Sequence, residues 1–211
     1  MTKKLLSLLV AFALLAMPCL TLAEEYQTYV SEDKSVTFLY PSDWILLSRE
    51  NIDTIIDAAA TVEEVAELAQ TARTQIEQLG IIVLMDATGA NNINFQHQNA
   101  GVALSGDDLM NLAPSLQSNI SSAIGGVSFY DPELMAIGGT DAMLLQYVYT
   151  MAGIDFTGMQ VYMPVGTELA ICTLTSSAED ISAGAEAVGI IMGTLSSSRP
   201  TLKKRDRCRQ T

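Results

Sequence analysis

The sequence is short of the residues on which much enzymatic and metal-binding chemistry depends. Histidine occurs once among the 211 residues, as His97, and cysteine occurs three times. One histidine leaves little for histidine-based acid–base or metal chemistry, and no group of Cys and His has the spacing of a zinc site. The Gly-x-Ser-x-Gly motif of a serine nucleophile is absent from the sequence. The glycines are scattered at turns and helix ends, so no phosphate-binding loop is predicted.

Basic residues are scarce in the body of the chain. Lys and Arg total 11 against 24 Asp and Glu, so the formal net charge is −13. Residues 24–198 hold only Lys34, Arg49 and Arg73 against 23 acids, which leaves them a net charge of −20. This balance excludes a nucleic-acid-binding body, because such proteins neutralise phosphates with Lys and Arg. The hydrophobic fraction of 49% excludes a disordered chain.

Residues 1–23 have the three-part pattern of a secretory signal peptide. Lys3 and Lys4 precede the apolar run Leu5–Met17, and Thr21 and Ala23 are small residues before a predicted cleavage after Ala23. The alternative is an uncleaved membrane anchor, for which the run is short against the roughly 20 residues of a bilayer span. The predicted location is secreted or extracytoplasmic, in a cell envelope.

The cysteines do not predict a disulfide-stapled scaffold. Cys19 falls within the signal peptide, which leaves Cys172 and Cys208 in the mature chain. Cys172 lies in an apolar run, where a buried free thiol is expected. Cys208 lies in a basic tail, where it is exposed and able to pair with another molecule.

Hydrophobic periodicity predicts one mixed α and β domain over residues 24–198. Strands are predicted at 26–30, 36–40, 44–47, 81–85, 93–98, 127–131, 134–137, 142–149, 156–163 and 168–175. The last three strands are joined by tight turns, which is typical of an antiparallel meander. His97 lies in the polar segment Asn94–Gln98, which predicts an edge strand with His97 at the surface.

Three segments have helical periodicity. Apolar residues recur at steps of three and four over residues 51–79, and a capping box beginning at Thr61 divides this stretch into two helices. Ser105 is the predicted N-cap of a helix that reaches residue 124, with a kink or restart at Pro114. A second capping box, from Ser177 to Asp180, precedes a helix over residues 181–195.

The segment Val36-Thr-Phe-Leu-Tyr-Pro-Ser-Asp-Trp44 resembles the opening of the PsbP/Mog1-like superfamily, which includes the DcrB-type bacterial envelope proteins. The order of the later elements is similar as well, so the resemblance covers roughly residues 26–196. It implies an α+β fold in which an antiparallel β-sheet is sandwiched between helices. It also implies a binding or adaptor function, because members of the superfamily are mainly adaptors rather than enzymes.

The expected function is therefore that of an exported, non-catalytic binding or adaptor protein of the bacterial envelope, with no cofactor. Two alternatives stay open. A carboxylate-dependent hydrolase is one, since 23 acids offer many pairs, although the acids of residues 51–79 fall mostly off the apolar stripe. A divalent-cation site such as calcium is the other, and the loop Asp86–Asn92 places several oxygen ligands close together. No catalytic residue or metal ligand is assigned.

The tail over residues 199–211 carries six bases and one acid, a net charge of +5, and is predicted to be disordered. Its bases are candidates for tethering the chain to an anionic membrane or wall surface, at about 1 kcal/mol per base near such a membrane. The alternative is a solvated tail without a partner. The six candidate residues are Arg199, Lys203, Lys204, Arg205, Arg207 and Arg209. Any further partner is an unidentified protein or envelope component.

Overall fold

The computed structural model describes residues 25–54, 73–74 and 76–197. The predicted signal peptide, the predicted helix junction near Thr61 and the basic tail lie outside the described residues. Residues 52–54, 73–74 and 76–79 are helical, in agreement with the apolar periodicity of residues 51–79. The helical prediction is therefore confirmed at both ends of that stretch.

Within the described residues the chain forms eleven strands and two helices with defined ends. The strands are β1 (Tyr26–Val30), β2 (Val36–Pro41), β3 (Ile45–Leu47), β4 (Ile82–Met85), β5 (Asn91–Asn99), β6 (Ser128–Phe129), β7 (Glu133–Ile137), β8 (Thr140–Met151), β9 (Ile154–Val165), β10 (Glu168–Ser176) and β11 (Ser196–Ser197). The helices are α1 (Gly106–Ile124) and α2 (Ser182–Thr194). Every strand that the periodicity predicts is present, and β11 is an addition.

The strands assemble into a large sheet and a small one. The large sheet has the order β3-β4-β5-β10-β9-β8-β6, with β7 paired to β8, and the small sheet has the order β1-β2-β11. All pairs are antiparallel, and β8, β9 and β10 form the predicted meander. The prediction of an edge strand at Asn94–Gln98 is confirmed only in part, because Asn94 and Phe95 pair with both β4 and β10, whereas Gln96, His97 and Gln98 pair with β10 alone.

One face of the large sheet, here called the inner face, packs against α2 and the small sheet. Ile93 and Phe95 of β5 and Cys172 of β10 point to this face and are almost completely buried. The small sheet joins this core through Phe38, whose ring centroid lies 5.0 Å from that of Phe95. Burial of large apolar and aromatic side chains is the main stabilising contribution of such a layer, at about 25 cal/mol per Å² of apolar surface.

The other face, here called the outer face, packs against α1. Leu109, Ala113 and Ile120 of α1 cover Leu145 and Tyr162, which point outward from β8 and β9. Residues of β5 on this face are amides rather than apolar side chains, since side chains alternate between the faces along a strand. These amides are Asn92, Asn94, Gln96 and Gln98.

Helix α1 begins as the sequence predicts. The Ser105 hydroxyl accepts a hydrogen bond from the Asp108 backbone amide, and the Asp108 carboxylate accepts one from the Ser105 amide, which completes a capping box. The helix continues without a break through Pro114, so the predicted restart there is wrong.

Helix α2 does not begin with the predicted capping box. Its N-cap is Ile181, and no side chain caps it. Asp180 instead accepts a hydrogen bond from the Ser182 backbone amide at 2.8 Å, which satisfies one of the free amides of the first turn. The box predicted from Ser177 fails because Ser177 leaves strand β10, where its amide donates to the Ala90 carbonyl.

The architecture is the predicted α+β class, with an antiparallel sheet between α1 on one side and α2 with the small sheet on the other. Among the described residues, no helix is both long and apolar enough to span a membrane. Cys172 is a buried free thiol, as its apolar surroundings predict. Burial raises the pKa of the Cys172 thiol.

Candidate functional site

A cavity of about 570 Å³ opens where the small sheet meets the β4–β5 end of the large sheet. Four separate segments line it: the β1–β2 turn, the turn after β3, the residues before β4, and the second half of β5. Because these segments are distant in sequence, no single motif marks the cavity. It is the candidate functional site, since binding sites are typically concave and combine apolar walls with a few oriented polar groups.

The β1–β2 turn presents an aspartate whose position is fixed by hydrogen bonds. Oδ1 of Asp33 accepts from the hydroxyls of Ser31 and Ser35, each at 2.7 Å, and from the Ser35 amide at 3.0 Å. These bonds stabilise the carboxylate and lower the pKa of Asp33 to about 2. Asp33 therefore carries a negative charge at the cavity rim over nearly the whole accessible pH range.

Glu50 holds the turn after β3 against the β1–β2 turn. Its Oε1 accepts from the Tyr29 hydroxyl at 3.4 Å and from the Glu32 backbone amide at 3.2 Å. Burial alone would raise the pKa of Glu50, but these bonds, together with those from Ser48 and from its own amide, lower it. The pKa of Tyr29, in contrast, is raised, mainly by burial and also by the nearby Glu50 charge.

Arg49 is the basic residue of the cavity wall, and its guanidinium is already engaged. Nε of Arg49 donates to the Ile76 carbonyl at 3.3 Å, and the guanidinium also donates to the Glu77 carbonyl. These carbonyls lie in the helical residues 76–79, and the Ile76 carbonyl also accepts from the Gly80 backbone amide at 3.0 Å. Gly80 ends that helix with a φ of 64°, a left-handed conformation that glycine adopts without strain.

The inner wall of the cavity is apolar and aromatic. Val36, Ile82 and Phe95 line it, and each is also part of the inner-face core. The Tyr29 ring lies 5.0 Å from Phe38, and Phe38 lies 5.0 Å from Phe95, so three rings connect the two sheets behind the wall. This packing makes the wall rigid.

His97 closes the cavity at the β5 side, which corrects its predicted place at the surface. Its side chain is only 15% exposed, and Nε2 lies 3.1 Å from Oε2 of Glu168 without the alignment of a hydrogen bond. The same Glu168 oxygen accepts from the Ser197 hydroxyl at 3.3 Å. His97 is half-buried because it follows Phe95 by two residues and so points to the same face of β5.

The β4–β5 loop, the candidate cation site of the sequence, uses its carboxylate internally. Oδ1 of Asp86 accepts from the Thr88 hydroxyl at 2.9 Å and the Ala90 amide at 3.1 Å, and Oδ2 accepts from the Asn91 amide group at 2.6 Å. These bonds close the turn. In the described part of the chain, no three His, Cys, Asp or Glu residues are grouped so as to hold a metal ion.

The residues selected from the sequence and the residues of the cavity are different sets. The six candidate tethering residues lie outside the described residues: Arg199, Lys203, Lys204, Arg205, Arg207 and Arg209. The cavity residues were missed because they come together only through the β1–β2 and β5–β10 pairings. One signal was present in the sequence, since Arg49 and His97 are rare residue types in this acidic body.

Chemically, the cavity combines fixed negative charge with an aromatic wall. Three carboxylates line it, those of Glu32, Asp33 and Glu50, while the Arg49 guanidinium is turned to backbone carbonyls. Carboxylates beside an aromatic wall favour ammonium or guanidinium groups that carry an apolar stem.

Comparison with solved structures shows the fold. The chain matches a crystal structure of a protein from Bacteroides thetaiotaomicron VPI-5482 with a TM-score of 0.53 and 15% identity, over 84% of this chain and 50% of that one. The chain therefore spans about half the length of the Bacteroides protein. It also matches the solution structure of cyanobacterial PsbP (CyanoP) from Synechocystis sp. PCC 6803, with a TM-score of 0.51 and 14% identity, over 87% of this chain and 99% of that one.

A third similar structure is that of LpqN, involved in cell envelope biogenesis of Mycobacterium tuberculosis, with a TM-score of 0.49, 14% identity, and coverage of 82% of this chain and 91% of that one. No protein-family model matches the sequence. A search of curated proteins finds no match either. The PsbP-like fold that the Val36–Trp44 segment implies is confirmed by the match to cyanobacterial PsbP.

Proposed function

We propose that this chain is an exported, non-catalytic binding or adaptor protein of the bacterial envelope, whose cavity receives positively charged groups of its partner. The observation that carries the proposal is the cavity between the two sheets, in which Asp33 and Glu50 are fixed by hydrogen bonds in their charged form. A PsbP-like fold is compatible with this function but does not by itself imply it.

The cavity acids do not suit the alternative of a carboxylate-dependent hydrolase. That mechanism needs one carboxyl with a raised pKa to donate a proton, opposite a second that stays ionised. Both Asp33 and Glu50 have lowered pKa values, so neither holds a proton near neutral pH. His97, the single histidine, is directed at Glu168. These features favour binding over proton transfer.

The calcium alternative has no comparable support in the described residues. Asp86 uses both carboxylate oxygens to close its own turn, and a cation there would have to replace three hydrogen bonds. Removal of calcium by a chelator is expected to leave the melting temperature unchanged, because a ligand stabilises only the state that binds it.

Two further parts of the proposal come from the sequence. The signal peptide over residues 1–23 exports the chain, and the six bases of residues 199–211 tether it to an anionic membrane or wall surface. The body, with a net charge of −20, is repelled by such a surface, so tethering depends on the tail. The partner itself is an envelope protein or component that presents a basic group.

The cavity is tested with a defined cationic probe. The mature full-length chain, with its six tail bases changed to Ser, is titrated with a tetralysine peptide and followed by backbone NMR. We expect chemical-shift changes at Glu32, Asp33 and Gly80, and their loss in the Glu32→Gln/Glu50→Gln variant. Tetraglutamine serves as the uncharged control. Shifts spread evenly over the acidic surface would contradict a defined site.

The tether is tested by sedimentation with phosphatidylglycerol and phosphatidylcholine vesicles. We expect the mature full-length chain to sediment with the anionic vesicles only, and salt to release it, because exposed charges are screened beyond about 8 Å at physiological ionic strength. The variant in which all six tail bases are Ser is the matched control. Equal sedimentation of both chains would eliminate tethering by the tail.

A further inference from the structure

The last described residue of the chain lies at the mouth of the cavity. Ser197 of β11 is paired in register with Val36 of β2, which lines the cavity. On its other side, the Ser197 hydroxyl donates to Glu168 at 3.3 Å, and Glu168 lies against His97 of the cavity wall. Two independent contacts therefore fix the point from which the basic tail leaves the body.

The charges at this point are complementary. Glu32, Asp33 and Glu50 line the cavity, whereas the tail beyond Ser197 carries six bases and one acid. Arg49, the base in the wall, donates to the carbonyls of Ile76 and Glu77 and keeps its positive charge, but the three acids outnumber it. A tail that leaves the body at a negatively charged cavity is attracted into it.

The length of the tail permits this contact without extension of the chain. Lys203 follows Ser197 by six residues, which span at most about 20 Å. A connection of this length is expected to give its end an effective concentration in the millimolar range. Even weak attraction between one lysine or arginine and the cavity carboxylates is then sufficient for occupancy.

We propose that the basic tail, residues 199–211, is the cavity's own ligand, so that a lysine or arginine of the tail occupies the site between Asp33 and Glu50 when no anionic surface is present. The inference rests on the proposed function in one respect, namely that the cavity receives cationic groups. It adds the identity of the occupant. It also makes the two roles of the tail exclusive, since the same bases serve the cavity and the anionic surface.

Binding of the tail to an anionic surface is thereby linked to binding of a partner in the cavity. A base of the tail and a basic group of the partner compete for the same carboxylates, so binding of the tail to an anionic surface is expected to strengthen binding of a cationic partner to the cavity. The coupling is thermodynamically reciprocal, so a cationic partner in the cavity strengthens binding of the tail to the anionic surface.

The experiment uses a nitroxide label on Cys208 of the mature full-length chain. Cys172 is buried, with its pKa raised by burial, so the tail thiol is the one that reacts. We expect the label to broaden the amide resonances of Glu32 and Gly80 at the cavity. The β8–β9 turn at Ala152 is the internal control, since it lies roughly 36 Å along β9 from the end near Glu168.

Two sets of variants separate charge from proximity. Changing all six tail bases to Ser leaves the described fold untouched and is expected to reduce the broadening at the cavity to that of a tail held nearby by its length alone. Glu32→Gln/Glu50→Gln is expected to reduce it by a similar amount. The control Asp131→Asn/Glu133→Gln removes the same charge at the β7 edge of the sheet and is expected to change nothing.

Two outcomes would overturn the inference: equal broadening at Gly80 and Ala152, or broadening at the cavity that is undiminished after all six tail bases are changed to Ser. The proposed function fails separately. If tetralysine binds the cavity of the chain with a neutral tail but the label leaves the cavity resonances sharp, the cavity is a cation site and the tail is not its ligand. If tetralysine does not bind, the cavity itself is not a cation site.

Discussion

The two faces of the large sheet come from the same strands but differ in how they are held. On β5, Phe95 points to the inner face and is 1% exposed, whereas its neighbour Asn94 points to the outer face and is half-buried. On β10, in the same way, Cys172 points to the inner face and Thr173 points to the outer face. The inner face is a continuous apolar core, and the outer face is apolar only beneath α1. The stability of the chain is therefore expected to reside mainly in the inner face.

The largest expected effect tests this expectation directly. Phe95→Ala removes a fully buried ring that contacts Phe38 across the two sheets, and we expect a loss of about 3–5 kcal/mol in the free energy of unfolding. Chemical denaturation measures it. The control is Gln96→Ala on the other face of the same strand, which is expected to cost within about 0.5 kcal/mol. Similar losses in both variants would refute the difference between the faces.

The second prediction concerns a glycine of the outer face. A Cβ on Gly158 would lie 2.2 Å from the Tyr147 ring, which is packed between Phe129 at 5.6 Å and Tyr149 at 6.2 Å. Because the ring cannot move freely, Gly158→Ala is expected to cost about 1–3 kcal/mol. In a Tyr147→Ala background the same change is expected to cost less, and simple additivity in that double-mutant cycle would contradict the clash.

The inner face has a corresponding glycine where the clash is softer. A Cβ on Gly184 of α2 would lie 2.8 Å from a terminal methyl of Leu174 and 2.9 Å from Oδ1 of Asn91. Leu174 can change its rotamer, so Gly184→Ala is expected to cost less than Gly158→Ala. A larger cost at Gly184 would show that α2 cannot shift on the sheet.

A third prediction compares one buried titratable group on each face and concerns the pH dependence of stability above neutral pH. Burial raises the pKa of Tyr162 on the outer face to about 12 from its ordinary value of 10.0, with a smaller contribution from Tyr147. Above pH 10 the unfolded chain loses this proton while the folded chain keeps it, so stability falls as pH rises from 10 towards 12. Tyr162→Phe should flatten the pH dependence in this window, as measured by urea denaturation.

On the inner face, the Cys172 thiol also makes stability fall with rising pH, but the fall begins at a lower pH. The Cys172 thiol has an ordinary pKa of 9.0, and burial raises it in the folded chain. Its contribution therefore begins to fall above pH 9, and Cys172→Ala should flatten the curve between pH 9 and 10, where Tyr162→Phe has no effect. Coincident changes in the two variants would mean that Cys172 and Tyr162 do not titrate separately.

The strands were predictable because each shows alternation or an apolar run bounded by turn residues. Val36–Tyr40 and the meander from residue 140 to 176 agree with the structure to within a few residues. What no local pattern shows is pairing between distant strands. Strand β10 pairs with β5 along its whole length, β4 pairs only with its first half, and β11 is only two residues long. The two errors at helices, the restart at Pro114 and the capping box at Ser177, arise because tertiary packing overrides local preference.

The cavity was unpredictable for the same reason. Tyr29, Glu50 and His97 are separated by long stretches of sequence, and each is unremarkable in its own segment. They meet because β1 pairs with β2 and because Glu50 accepts hydrogen bonds from the β1–β2 turn. The charge asymmetry between body and tail was visible in the sequence. That the tail begins close to the cavity was not visible in the sequence, because it depends on the pairing of Ser197 with Val36.

The smallest expected effect is on the polar stripe of β5. Asn94 faces outward between Val83 of β4 and Thr173 of β10. Asn is depleted in strands, whereas Thr suits a half-buried pleated surface and interacts well with an opposite Thr. We therefore expect Asn94→Thr to raise the free energy of unfolding by up to about 0.5 kcal/mol. If it lowers stability as much as Phe95→Ala does, the two faces carry equal weight, and the amide stripe is a packed interface rather than an open surface.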